Sequence, residues 1–367
     1  MTPATEEDLS ELVRSASTPL HIAGGGTRGI SPTPGAAMLS TASLAGVTLY
    51  EPGALTLVAR AGTPLSEVEA VLKRERQRLA FEPADWRGLL ATTGEPTIGG
   101  MVAANISGPR RVQTGAARDA TLGVRFVDGT GAIVKNGGRV MKNVTGYDLV
   151  KLMSGSWGTL GILTEVALKV LPVPETSATL ITGSLSAKDA VDAMTAALGS
   201  PYDVTGAARL PDGRVLIRIE GFATSVTYRE RRLANLLSRF GTTDVERDPQ
   251  RSEALWQSVR DVAPFHNWPG DVWRISVKPS DAPAIVERLQ TEVLLDWGGG
   301  LIWALMPEET DLRAVASPYS GHATLVRAQA TTRLPRFEPE PPAVCNLTKA
   351  LRARFDPRGL FNPGLIG

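Results

Sequence analysis

Consecutive glycines near the N-terminus are the first feature that could do chemistry. Gly24-Gly25-Gly26-Thr27-Arg28-Gly29 follows the apolar segment Leu20–Ala23 and formally matches G-x-G-x-x-G, the dinucleotide-binding pattern. That pattern needs a helix directly afterwards, and Pro32 and Pro34 prevent one here. Consecutive glycines also let backbone N–H groups converge on an anion. The segment therefore predicts an anion-binding loop or a plain glycine turn, and it argues against a Rossmann fold.

Two later segments are also rich in glycine. In Pro96–Asn105, Gly99 and Gly100 precede small residues, which predicts either close approach of the backbone to a ligand or tight packing of a helix on a strand. The third segment, residues 141–165, mixes several glycines with Tyr, Asp, Lys and regularly placed apolar residues. This mixture predicts contact with a flat, amphipathic ligand.

The composition excludes several classes of protein. The chain has 39 basic and 38 acidic residues, and its formal net charge of +1 excludes the strongly basic surface of a dedicated nucleic-acid-binding protein. One cysteine, Cys345, cannot form an intramolecular disulfide, an iron–sulfur cluster or a cysteine zinc site. Three histidines, His21, His266 and His322, leave little for a histidine-rich site, so no metal is expected.

Targeting signals are not evident in the sequence. The chain has no run of 18 apolar residues, so we expect no membrane-spanning helix. The acidic, amphipathic start MTPATEEDLSELV is unlike a signal peptide. These observations favour a cytoplasmic location.

The pattern of apolar residues predicts a mixture of helices and strands. Thr5 can cap a helix whose apolar positions follow at helical spacing. Thr63-Pro64 predicts a second helix that has the proline at its first position and runs to about Arg76. Strands are predicted at Leu20–Ala23, at Leu55–Arg60, on either side of the turn Asp128–Gly131, and from Gly161 to Leu171.

The best candidate for a domain boundary is Pro172-Val173-Pro174. Residues 1–174 carry the glycine-rich segments, whereas residues 175–335 alternate strands and helices in an α+β order. A proline-rich linker at 336–342 then leads to a predicted helix at about 343–355 and a turn-rich tail.

Taken in order, these motifs resemble those of the FAD-linked oxidases of the vanillyl-alcohol-oxidase type. They are GGGT from Gly24, PTIGG from Pro96, VTGYDLVKLMSGSWGTLGILTEV from Val144, and the terminal FDPRGLFNPG. Within that superfamily the chain is similar to the E subunits of bacterial glycolate oxidases. This closer similarity rests on Gly108–Arg111, Val140–Leu149, Val272–Ser276, Leu295–Gly299 and Gly321–Thr324. The resemblance covers essentially the whole chain.

The resemblance implies an α+β fold with an FAD-binding domain of the PCMH type, made of two subdomains at 1–174. Residues 343–367 would return to complete this domain, and 175–335 would form a smaller α+β cap. The FAD would be held without a covalent bond, because Thr27 and Arg28 stand where many members carry the linking histidine. Trp157 replaces a glutamate that is frequent in the family.

The resemblance also implies which residues surround the cofactor. The first loop would wrap the pyrophosphate, the second segment would lie along the flavin and ribityl chain, and the third would approach the isoalloxazine or adenosine portion. A further loop would lie beside the flavin, and the tail would close over the cofactor. The residues implied are Ala23, Gly24, Gly25, Gly26, Thr27, Arg28, Thr97, Ile98, Gly99, Gly100, Val102, Gly115, Arg118, Asp119, Gly155, Gly158, Gly161, Ile162 and Asn362.

The implied function is that of the FAD-binding subunit of a glycolate dehydrogenase complex. Such a complex oxidises glycolate, a small 2-hydroxy acid, to glyoxylate and passes electrons through flavin to an iron–sulfur partner. The partners would be a larger FAD-binding subunit and an iron–sulfur subunit, which could also attach the chain peripherally to the inner membrane. Catalytic members of this group often carry a closely spaced histidine cluster with a metal, which three scattered histidines cannot supply. This favours chemistry on the partner and an auxiliary flavin here.

Oxidation of a 2-hydroxy acid needs a cation for the carboxylate and a base for the hydroxyl proton. Arg274 is the candidate cation and His322 the candidate base. The plainer alternatives are that Arg274 pairs with a carboxylate in the cap and that His322 is a structural hydrogen-bonding residue. Two other functions stay open: a self-sufficient FAD-dependent D-2-hydroxy-acid dehydrogenase, and a non-catalytic assembly subunit with an auxiliary flavin.

Overall fold

The computed structural model describes residues 1–140, 146–329 and 331–366. Its first helix begins where the sequence predicts, because the Thr5 hydroxyl accepts a hydrogen bond from the Asp8 N–H and the Asp8 carboxylate accepts one from the Thr5 N–H. The described helices are α1 (Glu6–Ser15), α2 (Leu65–Arg74), α3 (Arg87–Leu90), α4 (Ile98–Ala103), α5 (Arg111–Thr114), α6 (Ala117–Ala120), α7 (Leu149–Met153), α8 (Ala187–Leu198), α9 (Ala223–Leu237), α10 (Pro249–Arg260), α11 (Ala282–Leu289), α12 (Leu312–Ala316) and α13 (Pro342–Phe355).

The described strands pair into a two-stranded, a six-stranded and an eight-stranded sheet. They are β1 (Leu20–Ala23), β2 (Ala37–Ser40), β3 (Val47–Glu51), β4 (Thr56–Arg60), β5 (Gln77–Leu79), β6 (Thr121–Val127), β7 (Ile133–Gly137), β8 (Ile162–Pro172), β9 (Thr176–Ser184), β10 (Val204–Arg209), β11 (Arg214–Gly221), β12 (Thr243–Glu246), β13 (Asp271–Val277), β14 (Val293–Asp296), β15 (Leu301–Met306) and β16 (Gly321–Arg327). The predicted mixture of helices and strands is confirmed.

The N-terminal unit, which we define as α1–α7 with β1–β8, is built on the six-stranded sheet. This sheet has the order β3-β4-β8-β6-β7, and β5 pairs with β8. The predicted hairpin is present, since β6 and β7 pair antiparallel with Val127 opposite Ile133. Apolar side chains of β4, β6 and β8 pack against α2 and α4 in one core.

The eight-stranded unit, which we define as β9–β16 with α8–α12, carries an antiparallel sheet of order β12-β9-β11-β10-β14-β15-β13-β16. Alternate residues of its strands point to opposite faces. The outer face packs against α8, α9, α11 and α12. The inner face contributes residues such as Leu216, Leu294 and Trp303 to the core of the N-terminal unit, so the two units share apolar packing.

The chain passes from one unit to the other at the proline pair of the predicted boundary. Strand β8 of the six-stranded sheet ends at Pro172, and β9 of the eight-stranded sheet begins at Thr176. The C-terminal tail comes back to the N-terminal unit, where Phe361 bridges to Leu20 in a parallel direction. The Leu20 N–H donates to the Leu360 carbonyl at 2.7 Å.

Local details differ from the predictions. Pro64 is the residue before α2 and not its first helical residue, because its ψ of 139° is extended. The second glycine-rich segment forms α4, in agreement with the helix alternative for this segment. Pro342 begins α13, one residue before the approximate predicted start. Residues 141–145 of the third segment lie outside the described residues. Across the part of the chain that is described, no helix combines the length and apolarity that a membrane crossing requires.

Candidate functional site

A cleft opens in the N-terminal unit between the three glycine-rich segments. The first loop follows β1, the second segment forms the start of α4, and the third leads into β8. The cleft between them is open to solvent and is lined by residues of all three segments. Its wall is mainly apolar with backbone groups and a few polar side chains.

The first loop can take its shape only with glycine. A Cβ on Gly25 would lie 1.5 Å from the Glu95 carbonyl oxygen, because the loop packs directly against the segment before α4. Gly26 has a φ of +70°, in the left-handed region. The sequence analysis attributed the need for glycine to an anion-binding backbone. The structure adds a second reason, which is close packing on Glu95.

Arg28 places a buried cation in the wall of the cleft. Its guanidinium stacks on the Trp86 ring at 4.8 Å and donates to the Ala84 carbonyl at 3.0 Å. Its Nη1 is buried with no hydrogen-bond partner among the described residues. Burial lowers the pKa of Arg28 to about 10, against the opposing charges of Asp85 and Asp261. An unused donor in a glycine-lined cleft fits a ligand that carries phosphate, as FAD does.

Most of the residues implied for the cofactor line this cleft. Those that do are Ala23, Gly24, Gly25, Gly26, Thr27, Arg28, Thr97, Gly99, Gly100, Gly158, Gly161 and Ile162. Further lining residues that the sequence analysis did not name include His21, Ile22, Ile30, Thr41, Ala61, Met101, Ala103, Ala104, Trp157 and Leu163. Many of these residues stand close in sequence to the named glycines, and this closeness could have predicted that they line the cleft.

Two residues of α4 are placed elsewhere. Ile98 and Val102 are fully buried in the apolar core, whereas Gly99 and Gly100 of the same helix line the cleft. The expectation that all four residues follow the cofactor stays a prediction, and the side chains of Ile98 and Val102 lie on the core side of α4. A helix turns successive side chains to different sides.

The loop expected beside the flavin lies outside the cleft lining. The Asp119 carboxylate accepts from the Ala116 N–H at 2.8 Å and so caps α6. Gly115 has a φ of +80°, and a Cβ there would lie 2.9 Å from Asp119. Arg118 is exposed and its N–H donates to the Asn105 side chain. These three residues shape a turn. Gly155 is likewise outside the cleft lining, and its N–H donates to the Val102 carbonyl.

Asn362 joins two segments of the cleft wall by hydrogen bonds. Its Oδ1 accepts from the Ile22 N–H at 2.8 Å, and its Nδ2 donates to the Trp157 carbonyl at 2.9 Å. Both backbone groups belong to residues of the cleft wall. Asn362 is therefore a positioning residue in this structure rather than one that lines the cleft.

The linker runs across one rim of the cleft. The Phe337 ring packs edge-on against Trp157 with ring centroids 5.3 Å apart. Arg336 donates to the Gly29 carbonyl at 2.6 Å, next to the first loop. The aromatic residue that replaces the family's glutamate thus has a partner, and together the two rings cover this end of the cleft.

Arg274 lies on the inner face of the eight-stranded sheet, beside the N-terminal unit. Its guanidinium stacks on the Trp297 ring at 5.1 Å, and Arg111 of the N-terminal unit stacks on the same ring at 4.3 Å. The Trp297 Nε1 donates to the Gly108 carbonyl, which orients the ring. Among the described residues neither guanidinium has a carboxylate within ion-pair distance. We call Arg111, Arg274 and Trp297 the open arginine pair.

The pKa values of both arginines reflect this lack of partners. Burial, followed by the charge of Arg111, lowers the pKa of Arg274 to about 10. Burial, followed by the charge of Arg118, also lowers the pKa of Arg111. Each shift means that the site would be stabilised by an anion. The sequence analysis named Arg274 but left the role of Arg111 open and did not name Trp297.

His322 comes close to Arg274 through strand pairing. In β13 and β16, Ser276 pairs with His322 and Arg274 pairs with Thr324, so the arginine and histidine share one face. Although much of the His322 residue is exposed, desolvation lowers its pKa, the charge of Arg274 lowers it further, and Glu338 opposes the shift. The imidazole is therefore neutral near pH 7 and able to accept a proton.

Asp296 is a buried carboxyl near the open arginine pair. It accepts a hydrogen bond from the Trp297 N–H at 2.7 Å and lines a small cavity with Arg274 and Arg260. Burial raises the pKa of Asp296 to about 7, against the hydrogen bond from Trp297. The raised pKa favours protonation of this carboxyl and so weakens its ability to neutralise Arg274.

A second group of charges joins the two units, and each of its arginines contacts a carboxylate. Glu220 of β11 accepts from Arg78 at 2.7 Å and from Arg110 at 2.8 Å. Glu82 contacts Arg110 and Arg218, each at 2.8 Å. We call these five residues the closed arginine cluster. The sequence analysis left open whether Arg110 contacts phosphate, and the structure places it in this cluster.

The described residues contain no group of three or more His, Cys, Asp or Glu side chains arranged to hold a metal ion.

Comparisons with known proteins agree with this geometry. The family described as "FAD binding domain" matches residues 1–137. The chain is 37% identical to glycolate oxidase subunit GlcE of Escherichia coli (strain K12), over 87% of this chain and 84% of that protein. It is 30% identical to the mitochondrial D-lactate dehydrogenase [cytochrome] of Arabidopsis thaliana, over 63% of this chain and 38% of that protein.

Among solved structures, an alkyldihydroxyacetonephosphate synthase superposes with a TM-score of 0.70 at 18% identity. The superposition covers 99% of this chain and 76% of the synthase chain. At this identity the likeness concerns the fold alone, and it confirms the expected fold of an FAD-binding domain with a second, mixed α and β unit.

Proposed function

Because this chain belongs to the FAD-dependent oxidoreductase family that includes glycolate oxidase subunit GlcE, we propose that it is the FAD-binding subunit of a glycolate dehydrogenase complex. The complex would oxidise glycolate to glyoxylate and pass electrons through FAD to an iron–sulfur partner. The observation that carries the proposal is the open arginine pair. Its two cations lie where the eight-stranded unit meets the FAD-binding unit, and no carboxylate of the described residues lies within ion-pair distance of either.

FAD is the cofactor of the family, and we propose that the cleft of the N-terminal unit holds it. The backbone of Gly24–Gly26 and the Nη1 of Arg28 would bind its phosphates, because the glycines line the cleft and this Nη1 is a buried donor without a partner among the described residues. Trp157 and Phe337 would cover the cofactor at the rim. When bound, FAD supplies the acceptor for the two electrons that leave the substrate carbon.

Arg274 and Arg111 would bind the substrate carboxylate. Guanidinium groups suit this task because their planar N–H groups match the two carboxylate oxygens. The Trp297 ring orients the two arginines, because both guanidinium groups stack on it. A bound carboxylate would offset the cost of burying two neighbouring cations, which is the cost that the lowered pKa values of Arg274 and Arg111 reflect.

His322 would take the hydroxyl proton of the substrate. Its lowered pKa leaves the imidazole neutral near pH 7, as a base must be before it acts. Once protonated, it would face the unneutralised charge of Arg274, which favours release of the proton to solvent. The negative charge of Glu338 opposes this effect and would stabilise the protonated imidazole of His322.

A second candidate function is supported by the similarity to the plant D-lactate dehydrogenase. In that case the chain alone would oxidise a small D-2-hydroxy acid, and the same arginines would bind the acid. The two functions differ in whether partner subunits are needed. In the first, a larger flavin subunit and an iron–sulfur subunit are required, and these would also determine any peripheral attachment to a membrane.

The test compares the chain alone with the chain co-expressed with the two proposed partner subunits. Each preparation is made anaerobic, its visible flavin spectrum is recorded, and glycolate or D-lactate is added. The Arg274→Ala variant is measured beside Arg239→Ala, which removes an exposed arginine stacked on Phe240 in the same unit. Acid precipitation shows whether the flavin is released and hence non-covalent.

We expect the flavin to be released by acid and to be reduced by glycolate only when the partners are present. Arg274→Ala should slow this reduction, whereas Arg239→Ala should not. Reduction of the isolated chain by D-lactate would instead support the second function. A chain that purifies without flavin and does not take up added FAD would contradict both functions and favour a non-catalytic assembly subunit.

A further inference from the structure

Helix α13 carries an apolar stripe that the chain does not cover. The helix has no buried residue. Val344, Leu347 and Leu351 are 45%, 67% and 40% exposed. Their spacing of three and four residues places them on one face of the helix. Three exposed aliphatic side chains on one helix face form an apolar patch of the kind found at protein–protein contact sites.

The side of α13 that faces the chain is a different one. There the Thr348 hydroxyl donates to Glu340 at 2.9 Å, and Phe355 packs against Phe126 with ring centroids 6.2 Å apart. Cys345 and Arg352 on this side are half-buried. The helix is thus attached by its polar side and its C-terminal end, and its most apolar side is turned outward. A helix of this length gains most of its stability from packing of its apolar face.

The charges on α13 indicate what kind of surface covers it. The helix contains no acidic residue. Its exposed charges are Lys349 and Arg354, and Arg354 lies three residues beyond Leu351 in line with the stripe. A surface that covers the stripe must therefore be apolar along its length and must offer carboxylates at the end that meets Arg354.

We propose that α13 docks into an apolar groove with an acidic rim on a partner subunit. The proposal rests on the proposed function, which requires such a partner. Docking at this position has a consequence for electron transfer, because α13 is joined on one side to the linker residue Phe337 over the cleft. On the other side it leads to Asn362, which holds two segments of the cleft wall. The partner would therefore lie beside the cofactor.

A membrane surface is a less suitable occupant. Helices that bind in the plane of a membrane carry several basic residues and aromatic anchors along the interface. The exposed stripe of α13 has three aliphatic side chains, no aromatic one, and a single cation in line with it. This combination fits a short protein groove better than a lipid surface.

The test co-expresses the tagged chain with the larger flavin subunit and the iron–sulfur subunit, and compares the wild type with Leu347→Glu, Arg354→Glu and Phe222→Glu. Phe222 is the matched control, because it is 75% exposed on the eight-stranded unit. Co-purification, flavin content and unfolding temperature are recorded for each variant. We expect Leu347→Glu to raise the Kd for the partners by about tenfold or more, since burial of one leucine side chain accounts for that ratio. Arg354→Glu should raise it less, and Phe222→Glu should not change it.

Each other outcome has a definite meaning. Assembly of Leu347→Glu as tightly as the wild type would overturn the docking site and leave the proposed function intact. A wild type that binds neither partner would overturn the proposed function and the docking site together. Loss of binding to vesicles of anionic phospholipid in Leu347→Glu, with assembly unchanged, would make α13 a membrane-binding helix. Conversion of a dimer of this chain to a monomer by Leu347→Glu, again with assembly unchanged, would show that a second copy covers the stripe.

Discussion

Two groups of arginines lie at the same boundary between the two units, and they differ in their partners. In the closed arginine cluster, Arg78, Arg110 and Arg218 share the carboxylates of Glu82 and Glu220. In the open arginine pair, both guanidiniums rest on one tryptophan ring, and no carboxylate of the described residues lies within ion-pair distance. Each arginine of the closed arginine cluster contacts a carboxylate of the protein, whereas neither arginine of the open pair does so among the described residues.

The difference shows how a buried arginine can be assigned a role. Charges that are removed from water need compensation, and in the closed cluster the protein provides it. The three arginines there keep the pKa of Glu220 well below its usual range despite burial. In the open pair compensation is left to a ligand. A structural role for the first group and a binding role for the second give four measurable contrasts.

The largest expected effect is on folding. Glu220→Ala leaves the buried Arg110 and the partly exposed Arg78 without their shared carboxylate, and we expect it to lower the free energy of unfolding by about 3–5 kcal/mol. Urea denaturation of the variant measures this loss. As a control, Asp192→Asn removes the partner of Lys188 from an exposed pair and should leave the midpoint almost unchanged. Equal effects of the two variants would contradict the structural role of the closed cluster.

The second effect depends on pH and concerns the carboxyl beside the open pair. The folded-state pKa of Asp296 is about 7, above its value in the unfolded chain. The stabilising effect of protonation is therefore present at acidic pH and is lost as pH rises towards 7. Relative to Asp296→Asn, the wild type should lose up to about 4 kcal/mol of unfolding free energy between pH 4 and pH 8.

This prediction is checked by unfolding both proteins across that range of pH. A constant difference between wild type and Asp296→Asn would mean that Asp296 is ionised throughout. In that case Asp296 would neutralise Arg274, and the arginine pair would not be open.

The third effect is on catalysis rather than folding. Arg274→Ala should leave the unfolding temperature and flavin content nearly unchanged but lower kcat/KM for glycolate by about 100-fold in the assembled complex, because a charge-assisted hydrogen bond to the substrate is lost. Arg274→Lys should restore part of the activity, since it keeps the charge without the planar fork. Normal kinetics in Arg274→Ala would show that this arginine is structural.

The smallest effect tests whether Arg111 is a full member of the open pair. Arg111→Ala should raise KM for glycolate by about tenfold and change kcat much less, because a cation for the carboxylate contributes equally to substrate and transition-state binding. The same variant should raise the pKa of Arg274, whose lowering depends in part on Arg111. A change in kcat without a change in KM would place Arg111 outside the binding site.

The cleft was far easier to predict from the sequence than the inner face of the eight-stranded sheet. Glycine loops carry their function in the backbone, so Gly24–Gly26 and Thr97 could be recognised from local sequence, and all line the cleft. Local geometry there was harder to predict: Ile98 turns inward on α4, and Asp119 caps a helix.

The open pair could not be predicted because it depends on strand pairing and on contacts between the two units. Arg274 and His322 are far apart in sequence and share a face only through the register of β13 and β16. Arg111 meets Trp297 only after the two units pack together. The sequence analysis singled out Arg274 from its motif, but nothing local to Arg111 distinguishes it from Arg110, which has the opposite role.

The return of the tail to β1 constrains when the cleft can be completed during synthesis. Leu20 pairs with Leu360 and Phe361, and Asn362 ties Ile22 to Trp157. A ribosome makes the residues around Leu20 first and those around Asn362 after the whole eight-stranded unit. The cofactor cleft therefore reaches its final form only after residue 362 has been synthesised.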